Sequence, residues 1–273
     1  MNWRAIRAVM RKDLKVVTRS KMVMLPMILL PVILQVLIPA GLGLTAIFAG
    51  DAVAGDVQDL QQMLALMPAP QVEQFSELGP GALFFQLMVV YAFAPMFLIV
   101  PVMVASVIAA DSFVGERGRK TLEGLLYTPL TNREMLVAKM LSAWLAALVV
   151  ELASFVLSAL VVSGVGWPLL GPIFFPNLTW IIMVLWLAPA VAGLGLGLTV
   201  LISSRVNTFQ EAYQLGSIVV LPIVFLLIGQ FTGLVYFGAG LVAGLGAVVW
   251  LVDAVILWFG VQTFNRDALL SRL

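Results

Sequence analysis

The stretch EMLVAKMLSAWLAALVVELASFVLSALVVS, Glu134 to Ser163, holds thirty residues of which three are charged. A helix needs about 20 mostly apolar residues to cross the hydrocarbon core of a bilayer, so this segment is long enough to span. Five further stretches read the same way: 22–48, 82–110, 178–203, 212–232 and 241–264. The whole chain agrees with them. It is 62% hydrophobic and 11% charged over 273 residues, with a mean hydropathy of +1.08. Soluble domains carry about 25% charged residues, so no soluble fold covers this much apolar surface. The fold class expected is an all-α integral membrane protein with six transmembrane helices, forming one transmembrane domain over 1–273. Pro26, Pro31 and Pro39 in the first span, and Pro95 and Pro101 in the second, predict kinks that neighbouring helices must support.

The distribution of bases gives the orientation. Arg4, Arg7, Arg11, Lys12, Lys15, Arg19 and Lys21 precede or open the first span, and Arg117, Arg119, Lys120, Arg133 and Lys139 lie between or beside spans two and three. Arg205 follows span four, and Arg266 and Arg272 follow span six. These are all fifteen bases, and a six-span arrangement puts every one on the same side. By the positive-inside rule that side is the cytoplasm, with both termini there. Trp167 and Trp180 bracket the short outer loop after span three, where interfacial aromatics are expected. With a net charge of +1, the chain presents no field that would gather nucleic acid. It has no cysteine and no histidine, which excludes disulfides, thiol nucleophiles, Cys/His zinc sites and histidine acid–base chemistry.

Two segments outside the spans have a pattern of their own. In residues 1–21, Trp3, Ile6, Met10, Leu14 and Val17 recur at helical spacing beside Arg4, Arg7, Arg11 and Lys15, with Asp13 interrupting the apolar side. That reads as an amphipathic interfacial helix. In the outer loop, 49–81, Val57, Leu60, Leu64 and Met67 make a short apolar stripe that the PAP at 68–70 is expected to end.

The cytoplasmic segment GERGRKTLEGLLYTPLTNRE, Gly115 to Glu134, superficially resembles a phosphate-binding loop. The glycine spacing is wrong, the lysine does not follow the second glycine, and a membrane span precedes it instead of a strand. GLGLGL at 193–198 is a similar decoy, where Gly193 and Gly197 form a small-residue contact face within span four; Gly240 and Gly244 are expected to do the same near span six. Within the cytoplasmic segment, Leu122, Leu125 and Leu126 form an apolar patch beside Arg119, Lys120 and Glu123, ended by Pro129. Thr131 and Glu134 then fit a capping box that starts the third span. Such a patch docks either on another protein or back on the membrane surface.

The run ADSFVGERGRKTLEGLLYTPLTNREMLVAKML, 110–141, resembles the cytoplasmic loop of type-2 ABC transporter permeases, with Gly115, Glu116, Arg117, Thr121, Leu122, Glu123, Leu125, Leu126, Thr128, Pro129 and Lys139 at the family's positions. RKDLKVVTRSKMVMLPMILLPVIL, 11–34, is similar to that family's basic elbow helix leading into its first span. The resemblance implies a single permease domain over 1–273, with an elbow helix at 1–21 and a coupling loop at 111–131. It implies a second permease chain, expected to be identical, and separate ABC ATPase subunits that hold the ATP and magnesium, so that this chain needs no cofactor. Glu116, Arg117, Thr121, Leu122, Glu123, Leu125 and Leu126 would touch the ATPase. The implied function is the permease subunit of an ATP-driven exporter in the plasma membrane, without catalytic residues of its own. That family often places short re-entrant helices between spans five and six; here GQFTGLVYFGAG, 229–240, leaves room for a compressed version at most.

Two carboxylates lie mid-span, Glu151 in the third and Asp253 in the sixth. A charge at that depth faces a bundle interior or a cavity. Either acid is a pathway contact for substrate or cation, or a packing hydrogen bond to Ser or Thr on a neighbouring helix. The alternative function is an ion-coupled secondary transporter using Glu151 and Asp253, for which inverted repeats would be expected. An intramembrane enzyme would need more acid–base or metal-binding groups than these.

Overall fold

The structure, a computed structural model, describes residues 2–53, 64–65, 67, 69–115, 131–171, 174–203, 205–206, 208–232 and 234–263. Six helices among them are long and apolar enough to cross a membrane: Lys21–Gly50, Pro80–Gly115, Arg133–Leu170, Leu178–Ser203, Phe209–Phe231 and Ala239–Gly260. All six expected spans are present, and no strand occurs among the described residues. A separate helix, Trp3–Val17, precedes them. The third helix runs in full from Asn132 to Leu170, 39 residues. At 1.5 Å per residue that is about 58 Å, so its ends stand well beyond a hydrocarbon core of about 30 Å. Gly171 closes it at φ +81°, a conformation that glycine adopts without strain.

The prolines break the helices as expected, though not everywhere. After Pro31 the first span widens into a π-helical turn, Val32–Leu37. The second does so over Gln86–Ala92 and then tightens to a 3-10 turn, Ala94–Leu98, around Pro95. A proline removes one hydrogen bond and crowds the carbonyl a turn earlier, and the ladder shifts register to relieve both. Pro39 and Pro101 instead fall in the first turn of the α-helical segments that continue from these turns, and Pro26 lies within an unbroken α-helical stretch.

Spans two and four form the centre. Of the most apolar part of each helix, 72% of the second and 61% of the fourth is buried, against 17% of the sixth. Glycine allows that central contact. A Cβ on Gly195 would stand 3.0 Å from Ser106 Oγ and 3.2 Å from the Val102 carbonyl oxygen, both on span two. The neighbouring glycines face the other way: a Cβ on Gly193 would meet Asp253 Oδ2 at 2.7 Å, and one on Gly197 would meet Ile256 Cγ2 at 2.7 Å. The expected contact face in span four is therefore real. The one at Gly240 and Gly244 has no partner within the chain: nothing among the described residues lies within 4 Å of where their Cβ atoms would be. Gly246 makes the close approach instead, against the ring of Trp186.

Trp180 is a second departure. It is not an interfacial anchor but is 1% exposed, donating its indole N–H to the Val90 carbonyl at 2.7 Å. Its ring packs edge-on to Phe97 and Phe175, with centroids 4.3 and 4.9 Å away. Trp167, 59% exposed, keeps the expected surface position.

At the end of the bundle opposite the N-terminal helix, residues 64–65 are helical, Met67 is not, and a new helix runs over Ala69–Ser76, so the chain leaves one helix before the PAP segment and enters another at Ala69. Proline early in a helix loses nothing, since the first N–H groups have no acceptor within it. Phe75 from this helix is buried against Tyr91 of span two, centroids 5.8 Å apart. The apolar stripe expected at 57–67 lies largely outside the described residues. Between spans five and six, the described part of 232–238 is not helical, so no re-entrant helix is found there. Gln230 organises that turn: its amide donates to the Tyr91 carbonyl at 3.3 Å, and its carbonyl accepts the Phe237 N–H at 2.9 Å.

Candidate functional site

The N-terminal helix buries Ile6, Val9, Asp13 and Val17, while Trp3 is 53% exposed. The face turned into the protein is thus the one that includes the acid, and it packs on the start of span three. Asp13 does not interrupt this face but forms its polar centre. Its Oδ2 accepts from Ser112 Oγ at 3.2 Å and from Ser142 Oγ at 3.5 Å, and lies 3.8 Å from Lys139 Nζ. Lys139, 1% exposed, donates to the Ser112 carbonyl at 2.8 Å and to Ser112 Oγ at 3.0 Å. Phe113 lies under the same ammonium, its ring centroid 5.5 Å away. A buried charge is tolerable when paired and hydrogen-bonded; Oδ2 meets both conditions, while Oδ1 has no hydrogen bond among the described residues and lies 3.5 Å from Lys12 Nζ.

This cluster joins three segments: the N-terminal helix, the π-helical end of span two (Asp111–Gly115) and the first turns of span three. A second tie reinforces it. Thr131 and Glu134 form the expected capping box, and Glu134 Oε1 also accepts the backbone N–H of Asn2 at 2.6 Å. Gly115 and Thr131, the described residues on either side of 116–130, both emerge from these ties. Glu116, Arg117, Thr121, Leu122, Glu123, Leu125 and Leu126 all lie within 116–130, outside the described residues.

The two mid-span acids occupy different places. Glu151, 1% exposed, accepts from the Gln35 amide at 3.1 Å; the same amide reaches the Phe97 carbonyl at 3.4 Å. The partner is thus an amide on span one rather than the expected hydroxyl. Gln35 sits in the π-helical turn Val32–Leu37, where widening of the helix carries its side chain into the bundle. The second carboxylate oxygen of Glu151, Oε1, and the amide oxygen of Gln35 have no hydrogen-bond partner among the described residues. Asp253, 4% exposed, rests against Gly193 of span four, and both its oxygens lack hydrogen-bond partners among the described residues. It lines a pocket of ≈ 210 Å³ with Trp144, Leu196, Gly197 and Trp250, and Glu151 is not part of that lining.

Sequence reasoning missed Gln35 and the pairing of Asp13 with Lys139, though each left a signal. Gln35 is the single amide in the apolar run 22–48. Lys139 stands more than a turn inside span three rather than in the loop before it. No group of three or more His, Cys, Asp or Glu side chains suited to a metal ion occurs among the described residues.

Residues 7–247 match the family model described as ABC-2 family transporter protein. No curated protein matches the chain. The match takes in most of the N-terminal helix, the Asp13–Lys139 cluster and five complete spans, and it covers most of the sequence. This multi-pass membrane protein belongs to the ABC-2 family of transporter proteins.

Proposed function

We propose that this chain is the permease subunit of an ATP-driven exporter in the plasma membrane, working as a pair of identical chains and driven by separate ATPase subunits that bind the ATP and magnesium. Both termini and the 116–130 segment lie in the cytoplasm in this reading. The N-terminal helix serves as the elbow, and Glu116, Arg117, Thr121, Leu122, Glu123, Leu125 and Leu126 contact the ATPase. The observation that carries it is the buried Asp13–Ser112–Lys139 cluster. A loop that transmits force must be anchored stiffly at both ends, or its displacement is lost as local bending. Here the residues on either side of 116–130 are fastened to the N-terminal helix, span two and span three together. Closure of the ATPases would then move these three elements as a unit and rock the bundle between its two open states.

An ion-coupled carrier working through Glu151 and Asp253 is the weaker reading. Those acids face different helices, and Glu151 is not in the lining of the pocket beside Asp253. Co-purification with the candidate ATPase in lipid nanodiscs, with hydrolysis measured alongside, tests the proposal. The wild type is expected to retain the ATPase with hydrolysis that responds to substrate, and a Leu122→Asp, Leu126→Asp double variant to lose it while still eluting as a monodisperse protein. Equal retention by both would refute the docking role.

A further inference from the structure

Spans four and six both begin at the end of the bundle that carries no described base, at Leu178 and Ala239. Their first turns wall one pocket of ≈ 440 Å³, together with Tyr91 and Tyr236. The first N–H groups of a helix have no acceptor within it, and that end of the helix carries a partial positive charge. In span six the first internal bond runs from the Val242 N–H to the Gly238 carbonyl, at 3.0 Å. The N–H groups of Ala239, Gly240 and Leu241 are left over, and Gly238 before them has no side chain to cap them. Over Gly240 the backbone is bare, since nothing lies within 4 Å of where its Cβ would be. In span four the Asn177 side chain accepts the Trp180 N–H at 3.2 Å, which leaves those of Leu178 and Thr179.

Thr179 gives an independent reason to expect a guest. The residue is 8% exposed and lines the pocket, yet its hydroxyl makes no hydrogen bond to a described residue. Nor is that oxygen sealed in packing, so it opens on the pocket and is satisfied by what enters there. The character of the guest follows from the donors. Backbone N–H groups give hydrogen bonds and accept none, so they suit a group that only accepts. A cation is opposed by two helix N-termini, and no Asp or Glu lines the pocket to offset them. A neutral polyol brings hydroxyl protons that N–H groups cannot take up. An oxyanion meets every donor at once, as anions do at helix N-termini. The rings of Tyr91 and Tyr236, stacked with centroids 6.2 Å apart, supply an apolar wall for an organic body. Leu178 and Leu241, 65% and 37% exposed, flank the opening, so a lipid can reach it from the side.

We propose that this pocket binds a phosphate ester, its oxygens taken by the first turns of spans four and six and by the Thr179 hydroxyl. The ester is a soluble organic phosphate or a phospholipid headgroup, which offer the same chemistry. The site does not depend on the ATPase reading, because binding is measured on this chain alone. The test uses the full chain in dodecyl maltoside, stripped of bound lipid and free of phosphate. Radiolabelled glycerol 3-phosphate probes the soluble source, dihexanoylphosphatidylglycerol the lipid one, and dihexanoylglycerol is the neutral control. At least one ester is expected to bind saturably above protein-free micelles, and the neutral control not to. Binding of glycerol 3-phosphate shows that the phosphate suffices, whereas binding of the lipid ester alone assigns the site to a headgroup. Thr179→Val keeps the shape and should raise the Kd about tenfold, as loss of a hydrogen bond to a charged group does. Gly240→Asp places a carboxylate in the first turn of span six, where it favours the helix and repels the guest. It should abolish binding without lowering the unfolding midpoint. Failure of both esters to bind, equal binding of dihexanoylglycerol, or an unchanged Kd in either variant would each overturn the site. Gly240→Asp decides the matter if Thr179→Val does not fold, because its side chain meets open space.

Discussion

Removing either partner of the Asp13–Lys139 contact takes a buried counter-charge from the other, although Lys12 Nζ also lies 3.5 Å from Asp13 Oδ1. Asp13 is 3% exposed and Lys139 1%, and the serines around them are placed to serve charges. Breaking a buried pair from one side costs about 3–5 kcal/mol, whereas replacing both partners with apolar groups costs far less. Lys139→Met is therefore expected to lower the thermal unfolding midpoint of the purified protein clearly, and Asp13→Leu, Lys139→Met together to recover part of the loss. A double-mutant cycle with no coupling energy would mean that the cluster does not hold the N-terminal helix. Gln35 and Glu151 follow the same logic with an amide in place of a base. Gln35→Leu leaves the buried acid without its donor, at about 1–3 kcal/mol. The Gln35→Leu, Glu151→Leu pair should be the more stable of the two, and the same melting assay checks it. These partners were hard to find in the sequence for a physical reason. Asp13 and Lys139 are 126 positions apart and Gln35 and Glu151 are 116 apart, so each pair depends on helix packing that local periodicity does not encode.

Between helices, the decisive variable is which face of a small residue is covered. Gly195 is pressed against a backbone carbonyl of span two, which cannot rotate away as a side chain can. Gly195→Val is thus expected to cost about 1–3 kcal/mol through overpacking, read as a fall in the unfolding midpoint. Gly240→Ala and Gly244→Ala meet open space within the chain and should be neutral or stabilising by about 0.5–1 kcal/mol, since alanine is the better helix former. A clear loss of stability or of dimer in those variants would show that a second chain covers that face. The helical spans were legible because twenty apolar residues in a row leave few other structures open. Their contacts were less so. Spacing four apart identifies Gly193–Gly197 and Gly240–Gly244 equally well, and only the first pair has a helix against it. Trp180 shows the same limit: its place beside a short loop suggests an interface, while in the fold its indole N–H donates to the carbonyl of Val90, inside the π-helical turn of span two.

At the scale of the whole molecule, polarity is sorted along the bundle axis as well as across it. Spans one, five and six show apolar side chains to the outside, among them Leu25, Phe225 and Leu251, each at least 67% exposed. That surface suits acyl chains or a second copy of the bundle, not water. The described bases gather at one end, on the N-terminal helix, at the start of span three and at Arg205, and the opposite end has none among the described residues. The orientation proposed above puts the basic end in the cytoplasm, as the positive-inside rule would have it. The absence of cysteine makes the orientation directly measurable, because a single introduced thiol has no background. Leu234 stands 79% exposed in the turn between spans five and six, at the end without bases, and Asn2 lies at the opposite end. In intact cells a membrane-impermeant maleimide should label Leu234→Cys at once and Asn2→Cys only after permeabilisation. The reverse pattern would invert the topology and take the 116–130 segment out of reach of any cytoplasmic ATPase. Labelling of both sites in intact cells would mean that the chain inserts in two orientations.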